Sequence, residues 1–195
     1  MYYLCILDFE ATCWSNDSND KIREIIEFPS ILYKIHETSS LPEIEYISKF
    51  SQYVKPVINP TLSNFCTELT GITQNQVNNA KVFKEVYKDH CKWLSQHIKH
   101  GEKIIFITVG KWDLSIMLQI ELNRYKLKQN NFYKNWLDLK DEYRKFYLRH
   151  PGGMMNMLKD LQIEHTGKHH SGISDCENTV KIVMRMLNDG WNFNK

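Results

Sequence analysis

The chain opens on an unbroken apolar run, Tyr2 to Leu7, that ends at the first charged residue, Asp8. Such a run, with no polar alternation, predicts a strand buried on both faces over residues 2–8. Residues 25–36 and 44–54 predict two further strands. The Ser/Thr/Pro-bearing stretch from His36 to Pro42 predicts the hairpin connection between them, and Pro56 to Pro60 ends the third strand. Short helices follow at Leu62–Leu69 and Thr73–Asn78, around the turn Thr70-Gly71. From Val82 to about Ile98, Phe83, Val86, Tyr87, Cys91 and Leu94 share one face of a longer helix. Lys103–Val109 predicts a second buried strand, closed by Gly110. Leu114, Met117, Leu118 and Leu122 then recur at helical spacing, and three more helical patterns cover 138–148, 153–161 and 175–189. The order of elements gives an α/β or α+β layout with a mixed central sheet flanked by helices, of which α/β is the expected class, in a single domain over 1–195.

Composition narrows the function classes. At 195 residues the chain is long enough for one substantial core. No apolar run approaches the ~20 residues of a membrane span, and Asp8 and Glu10 interrupt the first run before it can serve as a secretory signal. Five scattered cysteines without a C-x-x-C pair argue against a disulfide framework or a zinc ribbon. The expectation is an intracellular protein, cytoplasmic or nuclear. A net charge of +2 cannot supply strong bulk attraction to a polyanion, so any nucleic acid must be gripped by a local site and bound metal.

Carboxylates at the ends of buried elements are the informative chemistry. Asp8 and Glu10 close the first strand two residues apart, which puts both side chains on one face. Asp113 follows the second buried strand at the start of a helix. Asp175 begins the last helix, with Ser174 and Glu177 in the spacing of a capping box. Taken singly, each has a structural reading as a solvated strand end or a helix cap, and His170 as a polar loop residue. Taken together they offer hard oxygen ligands from several elements, suited to Mg²⁺ or Mn²⁺. His170, five residues before Asp175, stands where it can take a proton from water.

Asp8-Phe9-Glu10-Ala11-Thr12-Cys13, Trp112-Asp113 and His170-x4-Asp175 resemble the three exonuclease motifs of the DEDDh superfamily. More narrowly they resemble its Eri-type branch, which includes the 3′ histone-mRNA exonucleases. Glu24 to Pro29, Phe65-Cys66, Leu69 to Gln74, Trp136 to Lys140 with Tyr143 to Tyr147, and His169 to Ile173 carry the likeness across the chain. The resemblance implies a ribonuclease-H-like fold and two divalent cations, Mg²⁺ or Mn²⁺. Asp8, Glu10 and Asp175 would hold the first ion. Asp8 would also contact the second, supported by Asp113. It implies His170 as general base, Glu10 and Ala11 against the terminal sugar, and Phe65 and Trp112 around the base. The expected activity is 3′-to-5′ release of nucleoside 5′-monophosphates from RNA 3′ ends, single-stranded or with a short overhang. Ser174 stands where the family usually has an acidic residue and Glu177 where it has a basic or polar one. Lys168 keeps the family's basic charge, and Lys111 adds one before Trp112.

Other signals weigh less. Tyr143 to His150 interleaves basic and aromatic residues, which suits either an RNA track or a solvated helix face. Gly152-Gly153 reads as a turn between helices, and His90, Cys91, His97 and His100 as one side of an amphipathic helix rather than a zinc site. Two alternative functions stand beside the first: a 3′-to-5′ DNA exonuclease, and an inactive RNA-binding module, which would predict damaged metal ligands.

Overall fold

The structure is a computed structural model that describes residues 1–15, 22–36, 38 and 42–192. Its centre is β1 (Tyr2–Leu7), with every residue buried. The strand β3 (Ile25–His36) pairs with β1 antiparallel, and β6 (Ile104–Thr108) pairs with it parallel on the other side. Beyond β3 lie β4 (Glu43–Lys55) and the short β5 (Lys81–Val82), and beyond β6 lies β7 (Trp136–Asp138). A two-residue strand, β2 (Glu10–Ala11), pairs antiparallel with β3 off the main path. The sheet is mixed, as expected. Much of the connection expected from His36 to Pro42 lies outside the described residues.

The continuous apolar run has a direct cause. Tyr3, Cys5 and Leu7 of β1 point into one core, and Tyr2, Leu4 and Ile6 into the other. The first core is covered by α3 (Phe83–His97), by a π-helical turn at Trp112–Met117 and by α4 (Leu118–Arg124). The second is covered by α5 (Leu139–Tyr147), α6 (Met154–Asp160) and α7 (Gly172–Asn188). A strand with helices on both faces has no solvated side and therefore no polar alternation. The helices α1 (Asn64–Thr70) and α2 (Gln74–Asn78) form a smaller cluster with Ile26 and Leu62.

Several buried polar residues inside this frame are firmly partnered. Glu24 is buried and accepts backbone N–H groups from Val57, Ile58 and Asn59 at 2.7–3.0 Å, which fastens the turn after β4. His90 is held between the Tyr133 hydroxyl (2.6 Å) and the Ser30 hydroxyl (2.9 Å), and burial pushes its imidazole down to about 3. It is a neutral core residue, in line with the amphipathic reading of that helix. Between Tyr143 and His150 the lysine and arginines are occupied: Arg144 by Asp141 at 3.4 Å, Lys145 by Glu142 at 2.7 Å, Arg149 by Asp160 at 3.1 Å. That arrangement favours the solvated helix face over an RNA track.

Candidate active site

Asp8 and Glu10 do not sit on one strand, as the sequence spacing suggests. β1 stops at Leu7, and Glu10 belongs to β2, whose pairing with β3 carries a bulge between Glu10 and Ala11. Between them Phe9 turns into the core, its ring edge-on to Phe28 with centroids 4.6 Å apart. Its backbone N–H donates to Asp113 Oδ1 at 2.9 Å instead of to a strand. Both carboxylates still face one cavity, because Phe9 anchors the kink from the opposite side.

That cavity, about 300 Å³, is lined by Asp8, Phe9, Glu10, Val109, Gly153, Met154, Met155, Asn156, His169, His170 and Asp175. Residues more than 150 positions apart in the sequence thus share one wall. Asp113 lies behind it, buried in the π-helical turn and tied to the Phe9 amide. Ala11 is buried in β2. Trp112 is half-buried against the first core, and Phe65 is 37% exposed on α1. None of these three lines the cavity itself.

Asp175 is one turn inside α7 rather than at its start, because the helix begins at Gly172. The expected Ser174–Glu177 capping box is absent: Ser171 precedes the first turn without a side-chain cap, and Glu177 pairs with Lys49 at 3.8 Å. The cap comes from Glu27 on β3, whose Oε2 accepts the Gly172 N–H at 3.2 Å, while the Ser51 hydroxyl donates to Oε1 at 3.3 Å. A Cβ at residue 172 would fall 2.6 Å from Pro29 Cγ and 3.0 Å from the Asp8 carbonyl oxygen, so only glycine allows this approach. Glu27 was missed because nothing in a single strand shows what it will meet 145 residues later. The one signal was a carboxylate inside an otherwise apolar run.

The histidine loop is fixed to the same helix. The His170 N–H donates to Asp175 Oδ2 at 2.8 Å, and His170 adopts a left-handed φ of 63°. That conformation is uncommon for a non-glycine residue and persists where its surroundings over-determine it. His169 Nδ1 lies 3.3 Å from Asp175 Oδ1, and the two histidine rings stack with centroids 3.9 Å apart. Ligand atoms of Glu10, His170 and Asp175 all lie within 4.8 Å of one another. Lys168 does not face the cavity with a free charge: its Nζ donates to the Glu68 carbonyl at 2.9 Å, linking this loop to α1. Lys111 pairs with Asp141 at 3.0 Å.

The electrostatics are those of crowded acids. Burial, then Asp113, Glu10 and Asp175, hold the Asp8 carboxyl well above its usual range. Burial, with Asp175 and Glu27 behind it, pushes Glu10 up to about 8, and burial raises Asp113 to about 7. Glu27 is raised by burial as well. Among the described residues no lysine or arginine pairs with Asp8, Glu10, Asp113 or Asp175. Buried carboxylates without a cationic side chain either keep their protons or hold a cation. An all-oxygen donor set fits a hard divalent ion. Burial and the neighbouring His169 lower His170, so its imidazole is neutral near pH 7 and able to accept a proton.

Comparison with known proteins identifies the family. Residues 5–183 match the exonuclease family RNase_T. The chain is 39% identical to the rat protein 3′-5′ exoribonuclease 1 over 191 residues, covering 96% of this chain and 54% of that one. It is 39% identical to the zebrafish ERI1 exoribonuclease 2 over 203 residues, 96% of this chain and 35% of the relative. It therefore spans about half, or less, of the curated relatives it matches. Among solved structures, the nuclease domain of 3′hExo, a DEDDh family member bound to rAMP, superposes with a TM-score of 0.87 at 37% identity. That match covers 96% of this chain and 92% of the other. The cell-death related nuclease 4 superposes with a TM-score of 0.85 at 27% identity, covering 96% and 64%.

Proposed function

The chain belongs to the RNase_T exonuclease family, and from that premise we propose that it is a 3′-to-5′ exoribonuclease that releases nucleoside 5′-monophosphates from RNA 3′ ends. The observation that carries this reading is the meeting of Asp8, Glu10, Asp175 and His170 at one cavity, with Asp113 tied behind it.

The roles proposed for the side chains rest on the cavity for Asp8, Glu10, His170 and Asp175, and on the family resemblance for Ala11, Phe65 and Trp112. Proteins of this family depend on divalent metal, and the carboxylates here are the donors such ions take. Asp8, Glu10 and Asp175 would hold one Mg²⁺ or Mn²⁺, and Asp8 with Asp113 a second; when bound, such a pair stabilises the attacking and leaving oxygens of phosphoryl transfer. His170, neutral and fixed through its backbone to Asp175, takes the proton from the attacking water. Glu10 and Ala11 meet the terminal sugar, where a 2′-hydroxyl distinguishes RNA from DNA. Phe65, partly exposed on α1, and Trp112 flank the base. Stacking of ~1–3 kcal/mol per base tolerates any base, so sequence preference should be weak. The relatives named as exoribonucleases support RNA over DNA.

A 5′-labelled oligonucleotide tests this, made as RNA and as DNA, single-stranded and with a short 3′ overhang. With Mg²⁺ the RNA should shorten one nucleotide at a time from its 3′ end, and chelator should stop it. Cleavage of DNA at an equal or faster rate would transfer the assignment to a DNA exonuclease. RNA binding without any shortening would leave only a binding module.

A further inference from the structure

We propose that His165, His169 and Asp175 form a second metal site, selective for zinc, which shares Asp175 with the carboxylate centre and silences that centre when it fills. One ligand atom from each of the three residues lies within 4.8 Å of the other two. His169 Nδ1 and Asp175 Oδ1 are 3.3 Å apart, long for a charge-assisted hydrogen bond. That separation is close to the edge of about 3.4 Å expected between two ligands of a tetrahedral ion with bonds near 2.1 Å. His165 supplies the independent sign. Its Nε2 is buried and has no hydrogen-bond partner, whereas buried polar atoms are nearly always partnered. The rings of His165 and His169 stand edge to face, 83° apart, with centroids separated by 6.1 Å.

The three ligands ride on one rigid unit. Thr166, next to His165, is latched to α7 twice: its N–H donates to Asn178 Oδ1 at 3.0 Å, and Asn178 Nδ2 donates to its carbonyl at 2.8 Å. Lys181 Nζ adds a third bond to the Thr166 hydroxyl at 2.7 Å. Asp175 lies one turn earlier on the same helix. His169 is held through the neighbouring His170 amide, which donates to Asp175.

Two imidazoles and one carboxylate with an open fourth position are a zinc set, while magnesium prefers oxygen alone. The two sites therefore differ in donor chemistry and compete for one carboxylate. Zinc would draw Asp175 Oδ1 toward the imidazoles and set a divalent charge beside the Asp8–Glu10 centre. The silencing rests on the exonuclease reading; the site itself does not.

The test uses the full chain in millimolar Mg²⁺. Co²⁺ is titrated as an optical probe and zinc chloride as competitor. The unaltered protein should develop visible cobalt absorption that zinc removes, and His165→Ala and His169→Ala should each lose it. In parallel, zinc should stop RNA shortening at a concentration about tenfold lower in the unaltered protein than in His165→Ala, whose rate in Mg²⁺ alone stays within about twofold. Identical cobalt spectra and identical zinc sensitivity in His165→Ala would overturn the proposal and place zinc at Glu10, His170 and Asp175 instead. Should the chain shorten no RNA, the exonuclease reading falls, and the cobalt titration still decides the site.

Discussion

Burial comes first in raising the Asp8 carboxyl. Asp8 also borders Asp113, Glu10, Asp175 and Glu27, each of which pushes its carboxyl toward the protonated form. Asp8→Asn removes one charge from that cluster and one ligand shared by both ions. RNA shortening should fall below about one-hundredth of normal, as for the loss of a central electrostatic contact, while the melting temperature without metal holds or rises. Near-normal turnover in Asp8→Asn would exclude the two-metal assignment. His170→Ala should lower kcat by about 10²–10⁴ with the KM for RNA little changed, because the group acts on water and not on the nucleotide. A mild loss that is the same at every pH would give the proton-accepting role to another residue, and His169, stacked on it, is the first to examine.

At the scale of elements, the last helix carries Asp175, and its start is governed from across the sheet. Glu27 stands where a side-chain cap would, on the Gly172 amide, three residues before Asp175 and two after His170. Glu27→Ala should cost ~0.5–2 kcal/mol, the usual worth of an N-cap, and should lower kcat as well. Glu27→Gln, which keeps an acceptor oxygen, should recover most of both. Melting curves and kcat for the two variants check this, and equal behaviour of Ala and Gln would show that the acceptor is unimportant. This cap also marks where sequence reading stops. The long elements were legible because burial on both faces leaves a continuous apolar run in β1, and α3 repeats its apolar face over 15 residues. β2, β5 and β7, of two or three residues, are too short to show any period, so they were not legible. The same blindness put Asp8 and Glu10 on one strand, when the kink at Phe9 separates them. The gathering of Asp8, Glu10, His170 and Asp175 was legible only through their motif order. Spacing alone placed Asp175 one turn too early and offered a capping box that a distant carboxylate replaces.

For the whole molecule, the raised carboxyls make stability, pH and metal a single linked equilibrium. Glu10 at about 8 and Asp113 at about 7 stand above ordinary values of 4.5 and 3.8. Between about pH 4 and pH 8 these two groups therefore bind more protons in the metal-free folded chain than in the unfolded one, and their contribution to stability falls as pH rises through that window; the neutral, buried His90 opposes it below about pH 6.5. A divalent cation that displaces those protons should reverse the trend. Melting temperature in chelator should drop from pH 6.5 to pH 8, where the His90 contribution is complete, and the increment given by Mn²⁺ should be larger at pH 8. A flat profile, or an increment independent of pH, would mean that the acids are not gathered as described. No helix among the described residues is long and apolar enough to cross a membrane. The most direct test counts ions: Mn²⁺ bound per chain, by calorimetry, with a nucleoside 5′-monophosphate present. The account predicts two Mn²⁺ in the unaltered protein and at most one in Asp8→Asn; a stoichiometry that the substitution leaves unchanged would contradict it.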